Sequence, residues 1–170
     1  MTLICCPAAA LAEICRERSP SHVLTLAPPG KPGPVPPPAT AHLHLAFNDI
    51  AEPRPGLVAP DEEDVHQILA WGRSWAGEGP LLVSCELGIS RSTAALFAIA
   101  CDRRPDLAEA TIADRLRAAA PCATPNPLLV SLADRILGRQ DRMIRAVAGI
   151  GRGADYAPYR SFAITLPPAG

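Results

Sequence analysis

The chain has 170 residues, the size of one domain, with Lys+Arg 16 against Asp+Glu 17, a formal net charge of -1 and a pI near 6.4. That balance excludes the strongly basic surface of nucleic-acid binders, so no nucleic-acid partner is expected. Hydrophobic residues at 48% suffice for a core, and Gly 12 with Pro 20 stays under the roughly 25–30% of low-complexity chains, which excludes wholesale disorder.

Residues 2–5 (TLIC) are short and β-prone and read as a strand. Pro7 then opens a helix through Arg18, since proline is tolerated in a first turn. Residues 22–26 (HVLTL) are a second strand, followed by a loop over 27–40 in which seven prolines fall between Ala27 and Pro38. Residues 42–47 (HLHLAF) alternate and read as a third strand, and 48–60 as a loop with three prolines. Asp61 caps a helix whose first turn is acidic, which suits the helix dipole. Residues 81–85 (LLVSC) form an apolar run suited to a buried parallel strand. Helices are expected over about 92–102, over 106–119, from Asn126 with Pro127 at its first position, and over 143–150. Strands alternating with helices give an α/β class: a central, mostly parallel sheet of about four to five strands flanked by helices. One domain is expected over 1–150, with an extended tail over 151–170.

The six cysteines raise the question of compartment. The segment MTLICCPAAALAEICRER lacks a basic n-region before its apolar run, and Glu13 and Arg16 interrupt it. No apolar run approaches the ~18 residues of a membrane span. A cytoplasmic chain with reduced thiols and no membrane partner is therefore expected, in which one thiol can be chemical.

That thiol is Cys85. It ends the buried strand, and Arg91, six residues on, opens the next helix. Ligands of open α/β sheets bind at the carboxyl ends of parallel strands. A helix N-terminus offers free N–H groups and partial positive charge. Gly88 lets the intervening residues (Glu86, Leu87, Gly88, Ile89, Ser90) curl into an anion nest, and the Arg91 fork matches two phosphate oxygens. Amides, dipole and guanidinium all favour a thiolate at Cys85, so cradle and nucleophile come from one turn.

The segment SCELGISRST resembles the phosphate-binding loop of cysteine-dependent protein tyrosine phosphatases, nearest to dual-specificity-like bacterial members. HLAFNDI is similar to the strand and loop carrying that family's general-acid Asp, which places the role on Asp49. The Pro125-Asn126 pair resembles the Pro-Asn after the core helices of dual-specificity members. The likeness spans most of 1–150, but only the Cys85 to Ser92 loop is highly specific. It implies a phosphotyrosine phosphatase-like fold and a two-step hydrolysis of phosphorylated proteins or small phosphoesters. Cys85 attacks phosphorus, Arg91 and the loop amides hold the oxygens, Asp49 serves as acid and then base, and Ser92 bonds the sulfur. It implies no cofactor and no metal.

Two residues depart from the family pattern. Ser84 stands where the family has His, and Glu86 sets a carboxylate beside the anion site. Turned inward, Glu86 repels phosphate; turned outward, it is free to select substrates. These departures leave open a second reading, a phosphatase-like module that binds phosphorylated ligands with little turnover. A sulfur-transferase or arsenate-reductase-like enzyme shares the same loop. Other side chains keep two readings each. Asp61 competes with Asp49 as acid but serves well as a helix cap; Asn126 braces the loop, caps a helix, or both. His42 and His44 share one strand face, as a metal pair or as plain polar residues. Cys5 or Cys6 is either core packing or a disulfide partner for Cys85 after oxidation. Arg139, Arg142, Arg145 and Arg152 form a solvated basic face or a docking site. The scarcity of aromatics argues for a shallow site open to several phosphoesters.

Overall fold

The computed structural model describes residues 1–38, 40–155 and 160–167. Five strands, β1 (Thr2–Pro7), β2 (His22–Ala27), β3 (Ala41–Ala46), β4 (Leu81–Cys85) and β5 (Phe162–Thr165), form one sheet in the order β3-β2-β4-β1-β5. Pairings among the first four are parallel, and β5 runs antiparallel to β1. This is the expected α/β class.

The helices are α1 (Leu11–Arg18), α2 (Glu62–Ser74), α3 (Arg91–Arg103), α4 (Glu109–Ala119), α5 (Pro127–Ile136) and α6 (Arg142–Ile150). Side-chain alternation divides the strands between two cores. Leu3, Cys5, Leu24, Leu26, Val83 and Cys85 face the large cluster under α2 to α6. Ile4, Cys6, Val23 and Leu82 face the smaller one under α1. α3 is buried from Arg91 to Cys101, and small residues let α2 approach it: a Cβ on Gly72 would meet Ile99 at 2.8 Å. The N-terminus of α3 is thereby fixed under the end of β4.

Several boundaries differ from the expectation. Pro7 does not open a helix; it is extended (φ -66, ψ 153) and ends β1, followed by a single 3-10 turn at Ala8–Ala10. The reason is tertiary: Pro7 pairs with Cys85 in the β1–β4 register, and Ala8 N–H then bonds the Glu86 carbonyl. α4 starts at Glu109 rather than residue 106, where Asp106 instead pairs with Arg104. Asp61 caps α2 through a full capping box with Asp64. After residue 150, Phe162–Thr165 forms β5 and closes the β1 edge of the sheet, so this stretch is not a free tail. Of the arginines expected to form a basic cluster, Arg142, Arg145 and Arg152 are exposed and Arg139 is half-buried. Arg139 and Arg142 pair with buried Glu109, Arg145 bonds the Gln140 carbonyl, and Arg152 pairs with Asp155. Among the described residues no helix is long and apolar enough to cross a membrane.

Ile164 is 3% exposed. Ile164→Ala should lower the unfolding free energy by about 2–4 kcal/mol, the usual loss for a buried aliphatic side chain. Urea denaturation followed by circular dichroism checks this; an effect near zero would mean that β5 is not part of the cooperative fold.

Candidate active site

β4 delivers Cys85 to the carboxyl edge of the sheet, nearly buried at 3% exposure. The chain then curls through residues 86–90 into α3. Gly88 takes φ +71, and a Cβ there would lie 2.9 Å from Pro7 N and 3.0 Å from Cys6 C. Both obstacles are backbone, so this position needs glycine for its angle and for its closeness to β1. Among the described residues nothing accepts a bond from the N–H groups of Leu87, Gly88, Ile89 or Ser90. These donors, the α3 N-terminus and Arg91 make one electropositive turn.

Ser92 Oγ lies 3.0 Å from Cys85 Sγ, with both side chains buried. Arg91 is 4% exposed, and its NH1 donates to the Phe47 carbonyl at 2.9 Å, which pins the guanidinium under the end of β3. Its Nε is buried without a hydrogen-bond partner and lies 3.9 Å from Asp49 Oδ2. Asp49 Oδ1 accepts from Ser90 Oγ at 2.7 Å and from Asn126 Nδ2 at 2.8 Å. Asp49, Cys85 and Arg91 line a single pocket of about 290 Å³ with Leu87 and Ile89 as its apolar walls. Asp61 is engaged at the start of α2 by its capping box.

Asn126 does two things at once. Its Oδ1 accepts from Leu129 N–H and caps α5, while its Nδ2 holds Asp49 and the Ile50 carbonyl. Its backbone N–H also donates to the Ser90 carbonyl. Glu86 points outward at 57% exposure, 3.7 Å from Lys31 on the proline-rich loop, a pair too wet to count for much stability. That loop and Ser84 enclose a second, smaller cavity of about 50 Å³ behind Cys85. The Ser84 hydroxyl is buried without a hydrogen-bond partner. Cys6 faces Ser84 across the β1–β4 register, and burial pushes its thiol up to about 12.

All six cysteines are free thiols. Cys5 shares the Ser92 hydroxyl with Cys85, while Cys6 lies on the opposite face of the sheet. His42 and His44 both bond Thr25 Oγ1 at 2.8 Å. Phe47, Trp75 and Phe97 are fully buried in the core, so they do not wall the pocket; Tyr156 and Tyr159 lie outside the described residues. Sequence reasoning missed Thr93, whose hydroxyl donates to the Ile89 and Ser90 carbonyls, and Lys31 as partner of Glu86. A hydroxyl two residues after Arg91 was a usable signal for Thr93. Nothing local marked Lys31.

No protein-family model matches the sequence, and no curated protein does. Solved structures do match. Human DUSP28 superposes with a TM-score of 0.63 at 22% identity, covering 82% of this chain and 90% of that one. The chain has the fold of the dual-specificity phosphatases. A human tyrosine phosphatase-like serine/threonine/tyrosine-interacting protein matches at TM-score 0.63 and 15% identity, over 81% of this chain and 92% of its own. PTPMT1, solved in complex with PI(5)P, matches at TM-score 0.58 and 13% identity, over 80% and 91%.

Gly88→Ala should weaken binding of a phosphate-like oxyanion such as tungstate about tenfold or more, because a left-handed non-Gly residue costs of order 1–3 kcal/mol. Titration calorimetry on the folded variant measures it. Unchanged affinity would show that the turn is not the anion site.

Proposed function

We propose that this protein is a phosphomonoesterase of the protein tyrosine or dual-specificity phosphatase type, working through a phosphocysteine intermediate. The observation that carries this reading is one pocket where Cys85, Arg91, Asp49 and unpartnered loop amides meet. Phosphorylated proteins and small phosphoesters are the substrate class. The six free thiols suit a reducing compartment such as the cytoplasm.

In the first step Cys85 thiolate attacks phosphorus. The S–P bond forms as the ester P–O bond breaks, and protonated Asp49 gives its proton to the leaving oxygen. The amides of residues 86–91 and the Arg91 fork hold the equatorial oxygens, where charge spreads in a phosphoryl transition state. Ser90 and Asn126 keep the Asp49 carboxyl over the pocket. In the second step Asp49 takes a proton from water, which attacks phosphorus and expels the thiolate. Glu86 lines the pocket but turns its carboxylate outward toward Lys31.

A second reading is a module that holds phosphorylated ligands with little turnover. The observation in its favour is the unpartnered hydroxyl of Ser84, directly before the nucleophile. Tungstate binding together with absent hydrolysis of an aryl phosphate would select it.

Aryl phosphate hydrolysis should vanish in Cys85→Ser, and activity surviving that change would sink the assignment. Asp49→Ala should lower kcat about 10²–10³-fold, within the range for a lost general acid. Steady-state kinetics decides, and a wild-type rate in that variant would move the acid to another residue.

A further inference from the structure

Cys5 lies on β1, eighty positions before the nucleophile and fully buried. Its Sγ is 3.2 Å from Ser92 Oγ and 3.5 Å from the Gly88 carbonyl oxygen. Ser92 Oγ in turn is 3.0 Å from Cys85 Sγ. One hydroxyl therefore stands between two sulfurs. It has a single proton, and which sulfur receives it depends on the state of the other.

Burial first, and the nearby Cys85 second, push the Cys5 thiol well above its ordinary value. Cys5 thus stays S–H and acts as donor. The Ser92 oxygen accepts from Cys5, which leaves the Ser92 O–H directed at Cys85. A helical serine has one competing local acceptor, the carbonyl four residues back. Here that is Gly88, whose carbonyl oxygen also lies 3.5 Å from the Cys5 sulfur. The one proton of the Cys5 thiol, donated to Ser92 Oγ, closes the first of these alternatives, the Cys5 sulfur.

We propose that Cys5 is a positioning residue for the reaction, holding the Ser92 hydroxyl proton on the Cys85 sulfur through a buried Cys5–Ser92–Cys85 chain. This rests on the phosphocysteine reading of the site. Its weight falls on the second step. Water oxygen bonds to phosphorus, a water proton passes to Asp49, and the S–P bonding pair returns to Cys85 Sγ as thiolate. Cys5 and Ser92 keep their own protons and solvate the charge as it returns. The sulfur of the intermediate carries little charge, so a lost hydrogen bond raises this barrier without a matching loss in the first step.

Three variants test it. Cys5→Val fills the space without a donor, Cys5→Ser keeps a donor, and Cys5→Val in a Ser92→Ala background removes both links. Cys5→Val should lower kcat about 5-fold, the worth of one neutral hydrogen bond. KM should fall in parallel, and a burst of released phenol should appear as phosphoenzyme accumulates. Cys5→Ser should restore the wild-type pattern, and Cys5→Val should add nothing once Ser92 is Ala. Equal losses in Cys5→Val and Cys5→Ser, or a full loss in the Ser92→Ala background, would reduce Cys5 to packing. Should the wild type show no turnover, the hydrolase reading fails by itself. The chain is then read from iodoacetate labelling of Cys85 by mass spectrometry. The pH midpoint of labelling should rise in Cys5→Val and return in Cys5→Ser, and an unmoved midpoint overturns the proposal.

Discussion

Turning a run of peptide units so that their N–H groups share one point forces their carbonyls outward, and each buried carbonyl then needs a donor from elsewhere. The architecture around Cys85 answers that demand. Ala8 N–H meets the Glu86 carbonyl. Thr124 N–H and the Thr93 hydroxyl meet Ile89; Asn126 N–H, Ala94 N–H and Thr93 meet Ser90. The donors come from the end of β1, the first turns of α3 and the segment leading into α5. The loop after Cys85 is thus held from three sides by elements far apart in the chain, with its outward carbonyls occupied and its inward amides free.

The same economy of elements places the charged groups. Phe47, one residue beyond β3, offers its carbonyl to Arg91, and the next turn of chain carries Asp49. Asn126 then ties Asp49 to the cap of α5 and, through its backbone, to the loop after Cys85. A carboxyl on a proline-rich loop is thereby fixed by three partners on α3 or at the start of α5. The price is density: Gly88 has no room for a side chain, because β1 backbone already occupies that space.

Much of the fold was legible because its signals are local. Short apolar runs bounded by Gly and Pro marked the strands, and Asp61 and Asn126 marked helix starts by their capping chemistry, which the structure bears out. The boundaries that differed were set by distant partners. Pro7 stays extended because it pairs with Cys85 on β4, and 162–165 becomes a strand because β1 has an open edge. A lone four-residue segment carries no periodicity long enough to announce either.

The site divides in the same way. The sequence alone determined the turn: Cys85, Gly88, Arg91 and Ser92 are contiguous, and the strand before and helix after them leave that stretch few shapes. It also pointed to Asp49 and Asn126 through their own short motifs. Only the tertiary structure decided how these parts meet. It turned Glu86 toward Lys31, left the Ser84 hydroxyl without a partner, paired Arg139 and Arg142 with Glu109, and set Cys5 rather than Cys6 beside Ser92. The last choice rests on strand alternation and register. Neighbouring residues of β1 face opposite sides of the sheet, and which side holds Ser92 depends on how β1 pairs with β4, a contact across some eighty residues that no local pattern encodes.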